Sequence, residues 1–292
     1  MKKNETNDPK GLPDKHFSGF NKDHKQLLTA ILFFLLIFFY MFLREFLTNV
    51  IALPAVPGGV YGKMLPPVLF ALIYLAYTRG FQSAVFLALF LWVYCWAAEE
   101  LSVHTGFPFG HYYYSDQLGY KLDVVPIMIG FNYMWVLVFP AFYISNLLAQ
   151  GTFLEMGKGI KGLLFTAFVA SIVTSGIDMV LDPMDATKMS EWVWTKNAYT
   201  GYYGIPYMNY LGYIIVMTPA FFIFGLIQRK FNAKPMGPVN LWIASIPLFF
   251  YFLIFLMYGA PAPSGVFLVG CFTMVFPLIL SIDKLLKHFS TE

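Results

Sequence analysis

Residues 81–101, FQSAVFLALFLWVYCWAAEEL, are apolar almost throughout and then present two adjacent carboxylates, Glu99 and Glu100. Residues 160–182, IKGLLFTAFVASIVTSGIDMVLD, follow the same plan and carry Asp178 and Asp182 near their end. Each stretch is close to the ~20 residues that cross a bilayer as a helix. The fold class read from them is all-α, a polytopic membrane helical bundle. An ionisable side chain at membrane depth is expensive, which makes each acid a functional-site hypothesis.

Working outward, the composition agrees. Hydrophobic residues make up 58% of the 292 and charged residues 12%, against roughly 25% charged in a soluble domain. Eight stretches read as spans, at 26–44, 64–79, 81–101, 124–149, 160–182, 206–228, 240–259 and 263–283. The count falls to seven if the second, short and carrying Pro66 and Pro67, does not cross. Residues 1–25 read as a disordered cytoplasmic tail, 26–284 as a single transmembrane domain, and 285–292 as a second cytoplasmic tail. No internal repeat and no matched pair of broken spans is evident. The net charge of +3 sits in loops and tails, so no nucleic-acid partner is expected. Cys95 and Cys271 lie in apolar runs and offer neither a disulfide framework nor a CxxC metal motif.

Eight spans put both termini on one side. That side collects the six lysines of the N-terminal tail, Arg79, Lys158, Lys161, Arg229, Lys230, Lys234, Lys284 and Lys287, which is 14 of the 19 Lys and Arg. The positive-inside rule then makes the termini cytoplasmic. Spans three and five run in the same direction, so their acid-bearing ends emerge together on the opposite face. One shared pocket follows.

Helical spacing aligns Trp92, Trp96 and Glu100 on one stripe and sets Glu99 beside Cys95 on the next. Asp178 and Asp182 are also one turn apart, with Pro183 expected to stop the helix behind them. Both acid pairs are therefore expected in the last turn, where burial, a like-charged neighbour and the helix end all disfavour the ionised form. A carboxylic acid that keeps its proton is what a general acid needs. The loops that follow are equally distinctive. HTGFPFGHYYY at 104–114 and WVWTKNAYTGYYGIPYMN at 192–209 interleave Gly and Pro with aromatic rings. An aromatic belt at headgroup level is the plainer explanation for any one ring.

FPFGHYYY at 107–114, IDMVLDPMD at 177–185, WVW at 192–194 and GYYGIPYMNYLGY at 201–213 together resemble the membrane-bound carotenoid hydratases of the CruF type, within the carotenoid biosynthesis proteins. The resemblance spans roughly residues 85–215. It implies a hydro-lyase of the cell membrane that adds water to the terminal double bond of an acyclic carotenoid held in the bilayer, giving a tertiary C-1 alcohol. No cofactor and no metal are implied, and other carotenoid-pathway enzymes are the expected protein partners.

That chemistry needs a proton donor, a base for water and a shield for a carbocation. Glu99, Glu100, Asp178 and Asp182 are the candidates for the first two roles. Trp92, Trp96, Tyr112, Tyr114, Trp192 and Trp194 offer ring faces, each cation–π contact being worth about 2 kcal/mol when desolvated. Asn132 and Asn209 would orient water, and His104, His111 and Tyr203 complete the candidate substrate-binding set. Plainer roles stand beside these: Glu99 and Glu100 as a water boundary, Asp182 as a turn residue, Asp185 in solvent, the histidines as loop hydrogen-bonders. Rival chemistries are a Mg²⁺-dependent prenyltransferase or other isoprenoid-modifying enzyme using Asp178, Asp182 and Asp185, and a proton-coupled transporter.

Overall fold

The computed structural model describes residues 28–36, 59–133, 138–186, 190–195, 200–231 and 235–290. Helix α1 covers 28–36, α2 Gly59–Arg79, α3 Phe81–Thr105, α4 Ile127–Asn132, α5 Phe139–Gln150, α6 Gly159–Met184 and α7 Tyr207–Phe231. Helix α8 covers Leu241–Gly259 and α9 Ser264–Ser290, each containing one wider π turn. Five of these, α3, α6, α7, α8 and α9, are long and apolar enough to cross a membrane, and Met64–Arg79 of α2 is a shorter apolar segment. The chain is a helical membrane protein. Only 28–36 of the expected first span is described, and the expected fourth span includes α4 and α5, with 134–137 outside the described residues. The tail read at 1–25 lies outside them, as do 291–292 of the tail read at 285–292, whose residues 285–290 continue helix α9.

Helix α6 is central, packed by α5, α7, α8 and α9. Small residues let the neighbours approach. Ala167 and Ala170 are fully buried, and at Gly176 the backbone carbonyl accepts a 3.1 Å hydrogen bond from Thr273 Oγ1 on α9. Close packing and interhelical hydrogen bonds do this work in membrane bundles because lipid tails weaken any hydrophobic preference. Tyr74 of α2 similarly donates to the Ile243 carbonyl of α8 at 2.6 Å. Outward positions such as Leu89, Val93, Phe272 and Ile279 stay apolar and exposed, as lipid-facing surfaces require.

Three short antiparallel ribbons close one end of the bundle. Strand β1 (Tyr112–Tyr114) follows α3, and β2 (Lys121–Leu122) and β3 (Val125–Pro126) form a hairpin leading into α4. Strand β4 (Trp192–Trp194) follows α6, and β5 (Thr200–Tyr202) and β6 (Ile205–Pro206) form a hairpin leading into α7. Each hairpin turns on a residue with positive φ, Asp123 at 56° and Tyr203 at 49°. Strands β1 and β4 pair with each other, Tyr112 opposite Trp194, Tyr113 opposite Val193 and Tyr114 opposite Trp192.

These elements reveal an internal repeat where none was expected. The unit helix, strand, hairpin, helix occurs twice, and from β1 onward equivalent residues lie 80 apart, as Tyr133 and Tyr213 do. Helices α4 and α5, within 127–150 and with 134–137 outside the described residues, match helix α7. Tyr113 and Val193 are equivalent and face each other, as a two-fold axis through the centre of the ribbon demands. The repeat is faint in sequence because lipid-facing positions accept almost any apolar residue. Identity at that offset is sparse, with Pro126 and Pro206, and Tyr133 and Tyr213, among the pairs that keep it.

Gly130 on α4 sits so close to α3 that a β-carbon would strike the Trp92 backbone, whereas one at Gly162 on α6 would meet only ordinary contacts. Gly130→Ala should therefore cost about 1–3 kcal/mol through overpacking, read as a lower thermal unfolding midpoint in detergent. Gly162→Ala should leave that midpoint unchanged or raise it.

Candidate active site

Helix α3 runs on to Thr105 before Gly106, in the left-handed conformation, caps it. Glu99 thus lies more than a turn inside the helix, not in its last turn as the sequence suggested. Pro183 does not stop α6 either. The helix passes through it to Met184.

Cys95 and Glu99 share the buried face of α3, as their spacing predicts, and Ser102 continues it. Ser102 Oγ donates to the Gly110 carbonyl and accepts from the Phe109 amide, both at 3.0 Å, which folds the FPFG segment back over the helix end. Phe109 then packs on Tyr213 of α7, where Gly212 leaves room. The segment delivers β1 with its side chains alternating, Tyr112 and Tyr114 inward and Tyr113 outward.

Glu99 receives three phenols. The hydroxyls of Tyr112 and Tyr133 donate to its two oxygens, and Tyr114 donates to Oε2 at 2.8 Å. Asp178 and Asp182, one turn apart on α6, share a single amide, since Asn209 Nδ2 donates to both, at 2.7 and 2.8 Å. Both hydrogens of that amide are then used. The Trp192 indole donates to Asp182 Oδ1 at 2.5 Å. The Tyr213 hydroxyl is within hydrogen-bonding reach of Asp178 and accepts from Tyr133 at 3.3 Å. Glu99, Asp178 and Asp182 are each at least 96% buried. Among the described residues no Lys, Arg or His pairs with any of them. Ionising all three would leave three uncompensated charges in one buried place, so the cluster retains at least one proton. Burial, and then the neighbouring Glu99, hold the Tyr114 phenol well above the usual tyrosine range, which keeps it a donor.

The other candidates divide. Trp192 and Asn209 join the acids, and Trp194 packs on Tyr112 with ring centroids 4.7 Å apart. Glu100 does not join them. One residue further round the helix, it accepts from the Val124 amide at 3.4 Å and meets His104 Nε2 at 3.2 Å, while His104 also meets Asp123 at 3.1 Å. Ligand atoms of Glu100, His104 and Asp123 lie within 4.8 Å of one another, and an imidazole between two carboxylates accounts for that grouping. The hydrogen bonds from His104 and Glu100 hold the Asp123 carboxyl below the ordinary aspartate range.

Trp92 and Trp96 spend their indole N–H groups on the Ile127 and Val125 carbonyls, at 3.0 and 3.5 Å, tying α3 to the β3–α4 segment. His111 is exposed and its carbonyl anchors Thr195. Tyr203 occupies the exposed hairpin turn. Asn132 is half-buried at the end of α4, and among the described residues no hydrogen bond links it to the three acids. Asp185, expected in solvent, is buried beside Asp182. Tyr133 and Tyr213 were missed by sequence reasoning. Each follows a hairpin proline by seven residues, and that shared spacing was the available signal.

A bundle of membrane-length helices, closed at one end by aromatic strands over three buried carboxyls, defines a polytopic membrane protein with an acid centre at one face. The family model for carotenoid biosynthesis proteins matches residues 58–277, and the chain belongs to that family. Its role lies in carotenoid biosynthesis. No curated protein and no solved structure matches the chain.

Removing the amide that bridges Asp178 and Asp182 should unsettle this centre. Asn209→Leu is expected to lower stability by about 1–3 kcal/mol, the cost of stranding buried acceptors. Asn209→Asp should cost more, because it adds a further carboxyl beside Asp178 and Asp182. Thermal unfolding of the purified protein in detergent ranks the two.

Proposed function

We propose that the protein is a carotenoid hydratase that adds water across the terminal double bond of an acyclic carotenoid. The observation that carries this reading is the convergence of Glu99, Asp178 and Asp182 under the aromatic strands β1 and β4. One acid gives its proton to C-2 of the alkene and the π electrons form the new C–H bond. The tertiary cation left at C-1 takes the oxygen of water, and a second carboxylate accepts the proton that water loses. Atoms and charge balance without any redox partner. The rings of Tyr112, Tyr114 and Trp192 lie at the acids, with Trp194 packed on Tyr112, and can shield the cation, each contact contributing about 2 kcal/mol when desolvated. The polyene would lie along the bundle in the bilayer, with only its end entering the polar centre.

The positive-charge distribution supports a cell-membrane protein with cytoplasmic termini and the acid centre on the opposite face. Other enzymes of the pathway are the natural protein partners. Prenyl transfer fits less well, since Asp178 and Asp182 are buried and bonded to neutral donors, and among the described residues no cation stands by to receive a diphosphate. The internal repeat favours a second reading, proton-coupled transport, because parallel repeats about an axis along the membrane normal are a transporter architecture. Proton flux in vesicles without any change of pigment would select it.

Expression of the chain in a lycopene-producing bacterium should yield pigment heavier by one water, labelled by H₂¹⁸O. Unchanged pigment across several acyclic substrates would overturn the reading. Glu99→Gln, Asp178→Asn and Asp182→Asn should each lower product formation by about 100-fold or more, the scale of a lost general acid or base. Glu100→Gln should stay within a few-fold of the parent, because Glu100 lies with His104 and Asp123 outside the centre.

A further inference from the structure

The two halves of the repeat contribute one acid station each, and the stations are joined on the two-fold axis. In the first half Glu99 is served by Tyr112, from the first position of β1, and by Tyr133, seven residues beyond Pro126. In the second half Asp182 is served by Trp192, from the first position of β4, while Asp178 has Tyr213, seven residues beyond Pro206, within reach. Tyr133 and Tyr213 are equivalent residues. Their rings stack at 5.8 Å and their hydroxyls meet at 3.3 Å. A row of oxygen atoms therefore runs from Glu99 through Tyr133 and Tyr213 toward Asp178, and all four residues are at least 92% buried.

We infer that Tyr133 and Tyr213 form a proton relay that returns to Asp178 the proton Glu99 takes from water. The inference rests on the hydration reading. Three O–H donors stabilise Glu99 as a carboxylate, which leaves it free to take water's proton, whereas Asp178 and Asp182 are like-charged neighbours one turn apart that share an amide, which favours a proton on one of them. After each addition Asp178 is a carboxylate and Glu99 carries water's proton. Glu99 then donates to the Tyr133 oxygen as Tyr133 gives its hydrogen to Tyr213, and Tyr213 passes its own to Asp178. Three O–H bonds break, three form, and both phenols end as they began. Tyr133 has one hydrogen, which serves Glu99 while Glu99 is a carboxylate and Tyr213 once Glu99 carries the proton. Water addition consumes no net proton, so an internal return path lets a closed centre turn over without exchanging protons with bulk water.

The full-length protein in lipid nanodiscs, with lycopene as probe, tests this by rapid quench. Tyr133→Phe and Tyr213→Phe keep the rings and remove the hydroxyls, and thermal unfolding reports whether each variant folds. If only one folds, it decides alone. The relay predicts that later turnovers slow about tenfold or more beyond whatever loss the first one shows, because Asp178 starts protonated. Product then appears as a burst of about one per enzyme. An unchanged steady state overturns the relay, and so does equal loss of the first and later turnovers, which marks the phenols as positioning groups only. A parent chain that hydrates while the variants show no burst overturns the relay alone. A parent chain that hydrates nothing overturns the hydration reading together with the relay.

Discussion

Carboxyl groups inside an apolar bundle must be hydrogen-bonded, and without cations to pair with they must find neutral donors. That constraint organises the site end of this protein. Glu99 needs phenols from a strand and from a helix that follow it by 13 to 34 residues. Asp178 and Asp182 need an indole and an amide from the corresponding segment of the other half. Each donor can arrive only if the chain leaves the membrane helix, turns through a short strand and hairpin, and re-enters close by. The backbone inside those turns meets its own needs by pairing β1 with β4, so that irregular segments at the bundle end remain satisfied.

The repeat explains how two loops with little sequence in common build one centre. A two-fold axis through the Tyr113 and Val193 pair brings equivalent strands together, and further in it brings Tyr133 to Tyr213. The halves have diverged where chemistry differs. Glu99 stands alone among three tyrosines, while the second half offers two aspartates under Asn209, whose counterpart is Ile129. Such asymmetry on a symmetric frame gives the two halves different hydrogen-bonding surroundings for their acids.

Much of the site was legible in the sequence. Apolar runs ending in acids marked the helices, the orientation argument put Glu99, Asp178 and Asp182 on one face, and aromatic strings marked the covering segments. The errors have physical causes. Glu99 and Glu100 are adjacent, and on a helix adjacency turns side chains about 100° apart, so one enters the centre and the other meets His104 and Asp123. Trp92 and Trp96 carry ring faces suited to a cation, yet their indole N–H groups are committed to backbone carbonyls 35 and 29 residues away. Tyr133 and Tyr213 sit in apolar sequence where aromatic residues are common and no local signal distinguishes a belt residue from a donor.

By itself the sequence determined that this chain forms apolar helices bearing acids at one depth, because hydropathy and charge act residue by residue and are read without knowing the fold. Only the tertiary structure decided which acids share a centre, which donors satisfy them, and that two halves meet on an axis. Those outcomes depend on contacts between residues tens of positions apart, whose angles and distances are set by helix packing and strand pairing rather than by local sequence.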